Sequence, residues 1–192
     1  MQYLQHSDAE LIHAYVHGQE RALEVLINRY KDKVYTSVYM LVKDKYLAED
    51  IFQDAFLKMI KTIKEGRYAE QCKFLPWAIR VAHNLCMDHF RRTRNNIPVT
   101  LPDGQDISML FGAGDLVADG LEKRQVHECV RKMVEDLPEE QREVVVLRIY
   151  ADLSFKEISD LTGVSINTAL GRMRYALINL RRMVTDKELV LR

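Results

Sequence analysis

Asp160–Leu177 reads DLTGVSINTALGRMRYAL, and this stretch decides the fold. Ser154 is placed to cap a short helix over 155–161, with Glu157 at the capping-box spacing. Gly163 follows the last turn, where a left-handed backbone is least costly for glycine. Ser165 can then cap a second helix. Two helices joined by a three- or four-residue turn containing Gly form a helix-turn-helix, the unit that places its second helix in a DNA major groove.

The second helix divides into two faces. Ile166, Ala169, Met173, Ala176, Leu177 and Leu180 form an apolar stripe at helical spacing. Ser165, Thr168, Arg172, Tyr175 and Asn179 fall roughly opposite. From Ser165 to Arg182 there are four Arg and no acid. Small hydroxyls and Arg near a helix start suit base edges and phosphates. The same pattern also describes two packed helices with a solvated Arg face.

The chain as a whole has 28 basic and 28 acidic residues. Charge is segregated, however. Asp44–Asp54 holds four acids and one Lys, whereas Trp77–Asn96 holds Arg80, Arg91, Arg92 and Arg94 against one Asp. Phosphate attraction follows local potential within roughly 8–10 Å, not the chain total. The segment over 95–120 carries Asp103, Asp106, Asp115 and Asp119 with no base, two Pro and four Gly. It is too long for an ordinary loop inside one compact domain. The chain is therefore expected to be all-α, with helical domains over 1–94 and 121–192 joined by a flexible acidic linker over 95–120.

The first domain reads as four helices. Ser7 with Glu10 opens the first and Gly18 ends it. A long apolar stripe follows from Glu20 to about Val42. Ile51, Phe52, Ala55, Phe56, Met59, Ile60 and Ile63 mark a third helix from Tyr46 to Glu65. Pro76 stands near the start of a fourth. No apolar run approaches membrane length, the N-terminus lacks a signal-peptide pattern, and Cys72, Cys86 and Cys129 are too irregular for a disulfide framework. A cytoplasmic protein without stable membrane insertion is expected. His83, Cys86 and His89 lack the spacing of a zinc set. With no nucleophile–base pair and no phosphate-cradling loop, neither an enzyme nor a cofactor or small-molecule site is expected.

Four segments together resemble one family. SDAELIHAYVHGQERALEVLINRY, AEDIFQDAFLKMI, FLPWAIRVAHNLCMDHFRR and LPEEQREVVVLRIYADLSFKEISDLTGVSINTALGRMRYAL follow the order and spacing of extracytoplasmic-function (group IV) sigma factors, over nearly the whole chain. The resemblance implies an RNA polymerase specificity subunit with a σ2 domain, a linker and a σ4 domain. It implies that Asp50, Gln53, Asp54 and Phe56 meet the clamp coiled coil of the largest subunit. Region 4 is expected at the β flap, and an anti-sigma factor is expected as a further partner. It assigns Tyr68, Phe74, Trp77, Arg80, Asn84, Asp88, Arg91 and Arg92 to reading and melting the −10 element, and Ser165, Asn167, Thr168, Arg172 and Tyr175 to the −35 element. It also implies that the acidic linker imitates nucleic-acid charge in a basic polymerase channel. Leu170 and Leu177 stand where basic residues are frequent in the family, and are expected to extend the buried stripe. The residues alone leave another reading open. An ordinary helix-turn-helix regulator with a dimerising or ligand-sensing bundle would carry the same C-terminal pattern, and binding to core polymerase separates the two.

Overall fold

A computed structural model describes residues 5–69, 73–95 and 121–186, with the side chains of 94, 95 and 121–125 left undescribed. The expected linker over 95–120 thus lies, but for Asn95, outside the described residues. Everything regular among them is helical.

Four helices form the N-terminal half: α1 (Asp8–Val16), α2 (Glu20–Val42), α3 (Lys45–Lys64) and α4 (Phe74–Asn95). The capping box of α1 forms as its sequence predicts: Ser7 and Glu10 each bond the other's backbone N–H, at 3.3 and 2.7 Å. Asp44 caps α3 by accepting from the Leu47 N–H at 2.8 Å. Leu26, Val34, Val38, Ile51, Ala55, Met59 and Ile63 are buried, so the stripes read from the sequence do meet in one core.

The C-terminal half comprises α5 (Leu121–Glu135), α6 (Glu139–Val145), α7 (Phe155–Thr162) and α8 (Ile166–Asp186). Between α6 and α7 the helix widens into a π-turn over Val146–Tyr150. The turn of the helix-turn-helix has the expected chemistry. Ser154 and Glu157 form a capping box, Gly163 adopts φ 72°, and the Ser165 hydroxyl accepts from the Thr168 N–H at 3.0 Å. Ser159 also donates to the Val164 carbonyl at 2.6 Å, fixing the angle between the two helices.

The sequence suggests two bodies on a tether, but the structure joins their cores. Buried residues of both halves form one contiguous cluster, with α2 packed against α6 and the π-turn. Three polar contacts cross the same boundary. His83 of α4 meets Glu143 of α6 at 2.8 Å, Lys33 pairs with Asp152, and the Lys43 ammonium donates to the Glu135 carbonyl. The Glu135 carbonyl belongs to the last turn of α5, where unpaired carbonyls attract cations. Arg142 reaches the same turn, donating to the Glu135 carbonyl at 3.4 Å and, just beyond the helix, to the Leu137 carbonyl at 3.2 Å.

Candidate polymerase-binding and nucleic-acid interfaces

The acidic face belongs to α3. Helical spacing sets Tyr46, Asp50, Gln53, Asp54 and Leu57 on its outward side. Asp50, Gln53 and Asp54 are exposed. Tyr46 and Leu57 are also exposed, at 69% and 64%. Phe56 corrects the sequence reading. It is only 7% exposed and packs on Phe52 with ring centroids 4.8 Å apart. Its side chain is therefore core and unavailable to a partner docked on this face. Leu57 and Tyr46 are the apolar side chains that the face offers, and sequence reasoning missed them. The signal was present: both lie in line with Asp50 and Gln53 at steps of three and four. Two apolar side chains beside carboxylates make a surface suited to a basic partner with apolar contacts of its own.

The second surface is built on α4. Trp77, Arg80, Asn84, Asp88 and Arg91 succeed one another at steps of three or four. Arg80, Asn84, Arg91 and Arg92 are exposed. Asp88 is half-buried and accepts from Arg91 at 2.8 Å, so this pair is partly self-neutralised. At the N-terminal end of α4 an aromatic group gathers. Tyr68 stands edge-on to Trp77 at 4.7 Å, and Phe74 lies 5.7 Å from Trp77 and 5.4 Å from Tyr30. Phe74 is another correction: at 2% exposed it is core, and it supports the half-buried Trp77 instead of presenting its own ring. Tyr68 and Trp77 remain as the rings a base could stack on.

A cleft opens beside these aromatics. Asp8, Tyr30, Tyr68, Lys73, Phe74 and Pro76 line it from the N-terminal half, and Ala151, Asp152 and Glu157 from the other. Tyr30 donates to Asp8 at 2.7 Å. Burial, reinforced by that carboxylate, pushes the Tyr30 phenol up to about 12, so it stays protonated. The Ser154 hydroxyl holds the Glu157 carboxyl below its usual range, with help from the Ser154 backbone and the charges of Lys73 and Arg80.

On the other side of α4, His83 is 4% exposed and Cys86 is fully buried. Burial pushes the Cys86 thiol up to about 12, which leaves it inert. Among the described residues no three His, Cys, Asp or Glu side chains gather at metal-binding range.

The third surface is the start of α8. Ser165, Asn167, Thr168, Arg174 and Tyr175 are exposed, the last at 62%. Arg172 is not. Its side chain is 19% exposed and pairs with Glu140 at 3.0 Å and Glu143 at 4.0 Å. The buried side of α8 is thus rotated from the stripe that apolar residues alone suggest. Ala169 and Ala176 are fully buried, whereas Ile166 and Leu177 are 44% and 42% exposed. Small side chains let neighbouring helices approach closely, and the carboxylates of α6 draw Arg172 inward. Leu170, at 44% exposed, likewise lies outward and extends no packing. Within the first half of this helix Arg174 is the exposed Arg; Arg181 and Arg182 are exposed farther along.

Two helical halves, one ending in a helix-turn-helix and the other exposing an acidic and a cationic–aromatic helix face, have the architecture of a DNA-binding transcription protein. Comparison with known proteins agrees. Residues 26–96 match the Sigma-70 region 2 model and residues 127–175 the Sigma-70, region 4 model. The chain belongs to the extracytoplasmic-function family of RNA polymerase sigma factors. It is 26% identical over 174 residues to the ECF RNA polymerase sigma factor SigW of Bacillus subtilis, a match spanning 88% of this chain and 92% of that one. It is 24% identical over 176 residues to the RNA polymerase sigma-H factor of Pseudomonas aeruginosa, covering 88% and 89%. Two solved structures share the fold. CnrH in complex with the cytosolic domain of CnrY superposes with a TM-score of 0.63 at 19% identity, over 93% of this chain and 97% of that one. RpoE of Bartonella quintana in complex with the anti-sigma factor NepR gives 0.65 at 17%, over 88% and 98%.

Proposed function

We propose that the protein is a non-catalytic specificity subunit that binds core RNA polymerase and directs initiation at promoters of its own. Two successive regional matches in family order carry this reading, because they require both a polymerase-binding and a promoter-reading half. Asp50, Gln53 and Asp54, flanked by Tyr46 and Leu57, form the face for the clamp coiled coil of the largest subunit. Region 4 takes the β flap. Arg80, Asn84, Arg91 and Arg92 track and read the −10 element, while Tyr68 and Trp77 stack on bases leaving the duplex. Ser165, Asn167, Thr168 and Tyr175 enter the −35 major groove, with Arg174 toward phosphate. Arg172 joins them only once released from Glu140 and Glu143. An anti-sigma factor is the expected regulatory partner, as in the complex of RpoE with the anti-sigma factor NepR.

The test is affinity for purified core polymerase. Low-nanomolar to micromolar binding that weakens several-fold in the Asp50→Ala, Asp54→Ala variant supports the reading. Absence of binding would leave a DNA-binding regulator instead.

A further inference from the structure

A second cleft, open and of about 790 Å³, lies where the end of α2 meets α4 and α6. Leu41, Val42 and the half-buried Phe90 give it an apolar wall. Lys43, Arg91 and Arg142 bring three cations to it against one acid, Glu139. Its size is that of a small-molecule site. Lys43 and Arg142 belong to none of the surfaces described above.

Arg142 anchors the polar side. It is only 9% exposed, and its hydrogen bonds to the Glu135 and Leu137 carbonyls both leave from Nη1. Its Nε is buried with no partner among the described residues. Buried donors nearly always have a partner, so an orphan on a guanidinium marks a place for an acceptor. Burial holds this guanidinium below its ordinary value, against the charges of Glu139, Glu135 and Glu143. Lys43 donates to the same Glu135 carbonyl. Partial burial, and then the Arg142 charge, hold its ammonium below the usual lysine range in spite of Glu135 and Asp136. Two cations thus share one neutral oxygen and repel each other, and an anion between them would relieve both. Lys43 ends α2 in a left-handed backbone, φ 58°, where glycine is the usual choice. Arg91 stands at the rim with Asp88 on its Nη2.

We propose that this cleft binds a nucleotide, with its phosphates on Lys43, Arg142 and Arg91 and its ring against Phe90 and the Leu41–Val42 edge. Phosphate supplies several acceptor oxygens at once, and an Arg fork takes two of them together. One aromatic and two aliphatic side chains suit a planar ring. A phosphate of duplex DNA fits less well, because a double-helical backbone does not enter far enough to reach a guanidinium that is 9% exposed. Glu139, exposed at the rim, opposes the most highly charged phosphates and keeps the affinity moderate. The site does not depend on the promoter-reading function assigned above.

Titration calorimetry on the full chain tests it, with ATP, GTP, inorganic pyrophosphate and adenosine as probes. ATP or GTP should bind with a Kd on the order of 10–300 µM. Pyrophosphate should bind at least threefold more weakly, and adenosine at least tenfold. Lys43→Gln should weaken nucleotide binding roughly tenfold; Lys43 is exposed, so the fold should survive the change. Arg142→Lys, which keeps the charge and loses the fork, should weaken it as well, with helix content checked by circular dichroism. Phe90→Leu should weaken ATP and spare pyrophosphate. Lys61→Gln, on α3 and outside the cleft, should change nothing. No nucleotide binding below about 1 mM, parental affinity in Lys43→Gln, or pyrophosphate bound as tightly as ATP overturns the proposal. So does binding that appears only after Asp103, Asp106, Asp115 and Asp119 are changed to Asn, which would give the cleft to the chain's own acids. Absence of nucleotide binding, with affinity for a promoter oligonucleotide lowered by Lys43→Gln, would give the cations to DNA and overturn it equally.

Discussion

Phe56 and Leu57 are neighbours in sequence and opposites in environment: Phe56 is 7% exposed against Phe52, whereas Leu57 is 64% exposed beside the carboxylates of α3. One residue's rotation on the helix turns a core side chain into a surface one. The pair therefore separates folding from partner binding. Phe56→Ala should destabilise the protein by about 3–5 kcal/mol through the cavity it leaves. Leu57→Ala should stay within about 0.5 kcal/mol of the parent and weaken core-polymerase binding several-fold. Thermal denaturation and a polymerase binding titration on both variants check this. A Leu57→Ala protein with parental affinity would remove the apolar contact from the interface.

The capping box of α7 gives a pH signature. The Ser154 hydroxyl, first among the causes, lowers the Glu157 carboxyl below its ordinary 4.5. A carboxyl lowered by folding contributes stability that is complete above the unfolded value and is lost as pH falls through the folded one. Ser154→Ala should therefore cost about 1 kcal/mol at pH 7. The cost should shrink below pH 4.5, though not to zero, since Ser154 Oγ also accepts from the Glu157 N–H at 3.2 Å. A cost independent of pH from 7 to 3 would contradict the assignment.

Cys86 should be inert to thiol reagents. It is fully buried and its thiol is pushed up to about 12 by burial. With Cys72→Ser and Cys129→Ser, an aromatic disulfide reagent at pH 8 should give no burst. The slow reaction should follow global or local unfolding and speed up in denaturant. A stoichiometric burst in native protein would show α4 to be loosely packed.

Arg172 and Arg174 should behave differently on DNA. Arg174→Ala should weaken all −35 variants alike and reduce the salt slope by about one, as for a phosphate contact. Arg172→Ala should do less to oligonucleotide binding by the free protein, because Glu140 and Glu143 already engage its guanidinium. With polymerase present its loss should cost about 1–3 kcal/mol, at one position if it reads a base. Binding at several salt concentrations, with and without core polymerase, distinguishes them. Identical behaviour in both settings would mean that Arg172 is not released.

Much of this architecture is written locally. Ser7 with Glu10, Ser154 with Glu157, Gly163 and Ser165 act on backbone groups within four residues, so their chemistry can be read without the fold. The long stripes of α2 and α3 are similarly legible, since burial follows a 3.6-residue period. What escaped depends on partners far along the chain. The rotation of α8 shows in the burial of Ala169 and Ala176 and in the pairing of Arg172 with Glu140 and Glu143, acids of a different helix. Phe74 looked like a base-stacking ring because an aromatic beside a basic helix has the same signature in core and at a DNA surface. Its neighbour Tyr30, distant in sequence, settles it as core. The π-turn over Val146–Tyr150 and the docking of the two halves leave no periodic trace; both lie against helices distant in sequence, α2 for the π-turn and α2 and α4 for the docking.

Promoter-directed transcription tests the central claim most directly. Core polymerase is incubated with a promoter library, with and without the protein, and transcript starts are sequenced. Starts that appear only with the protein, downstream of one shared pair of −35 and −10 elements, are the predicted result. They should be lost with Asp50→Ala and Asp54→Ala, and altered in sequence preference with Asn167→Ala or Asn84→Ala. A start profile identical with and without the protein, from preparations shown to be folded and to contain active core polymerase, would contradict the account.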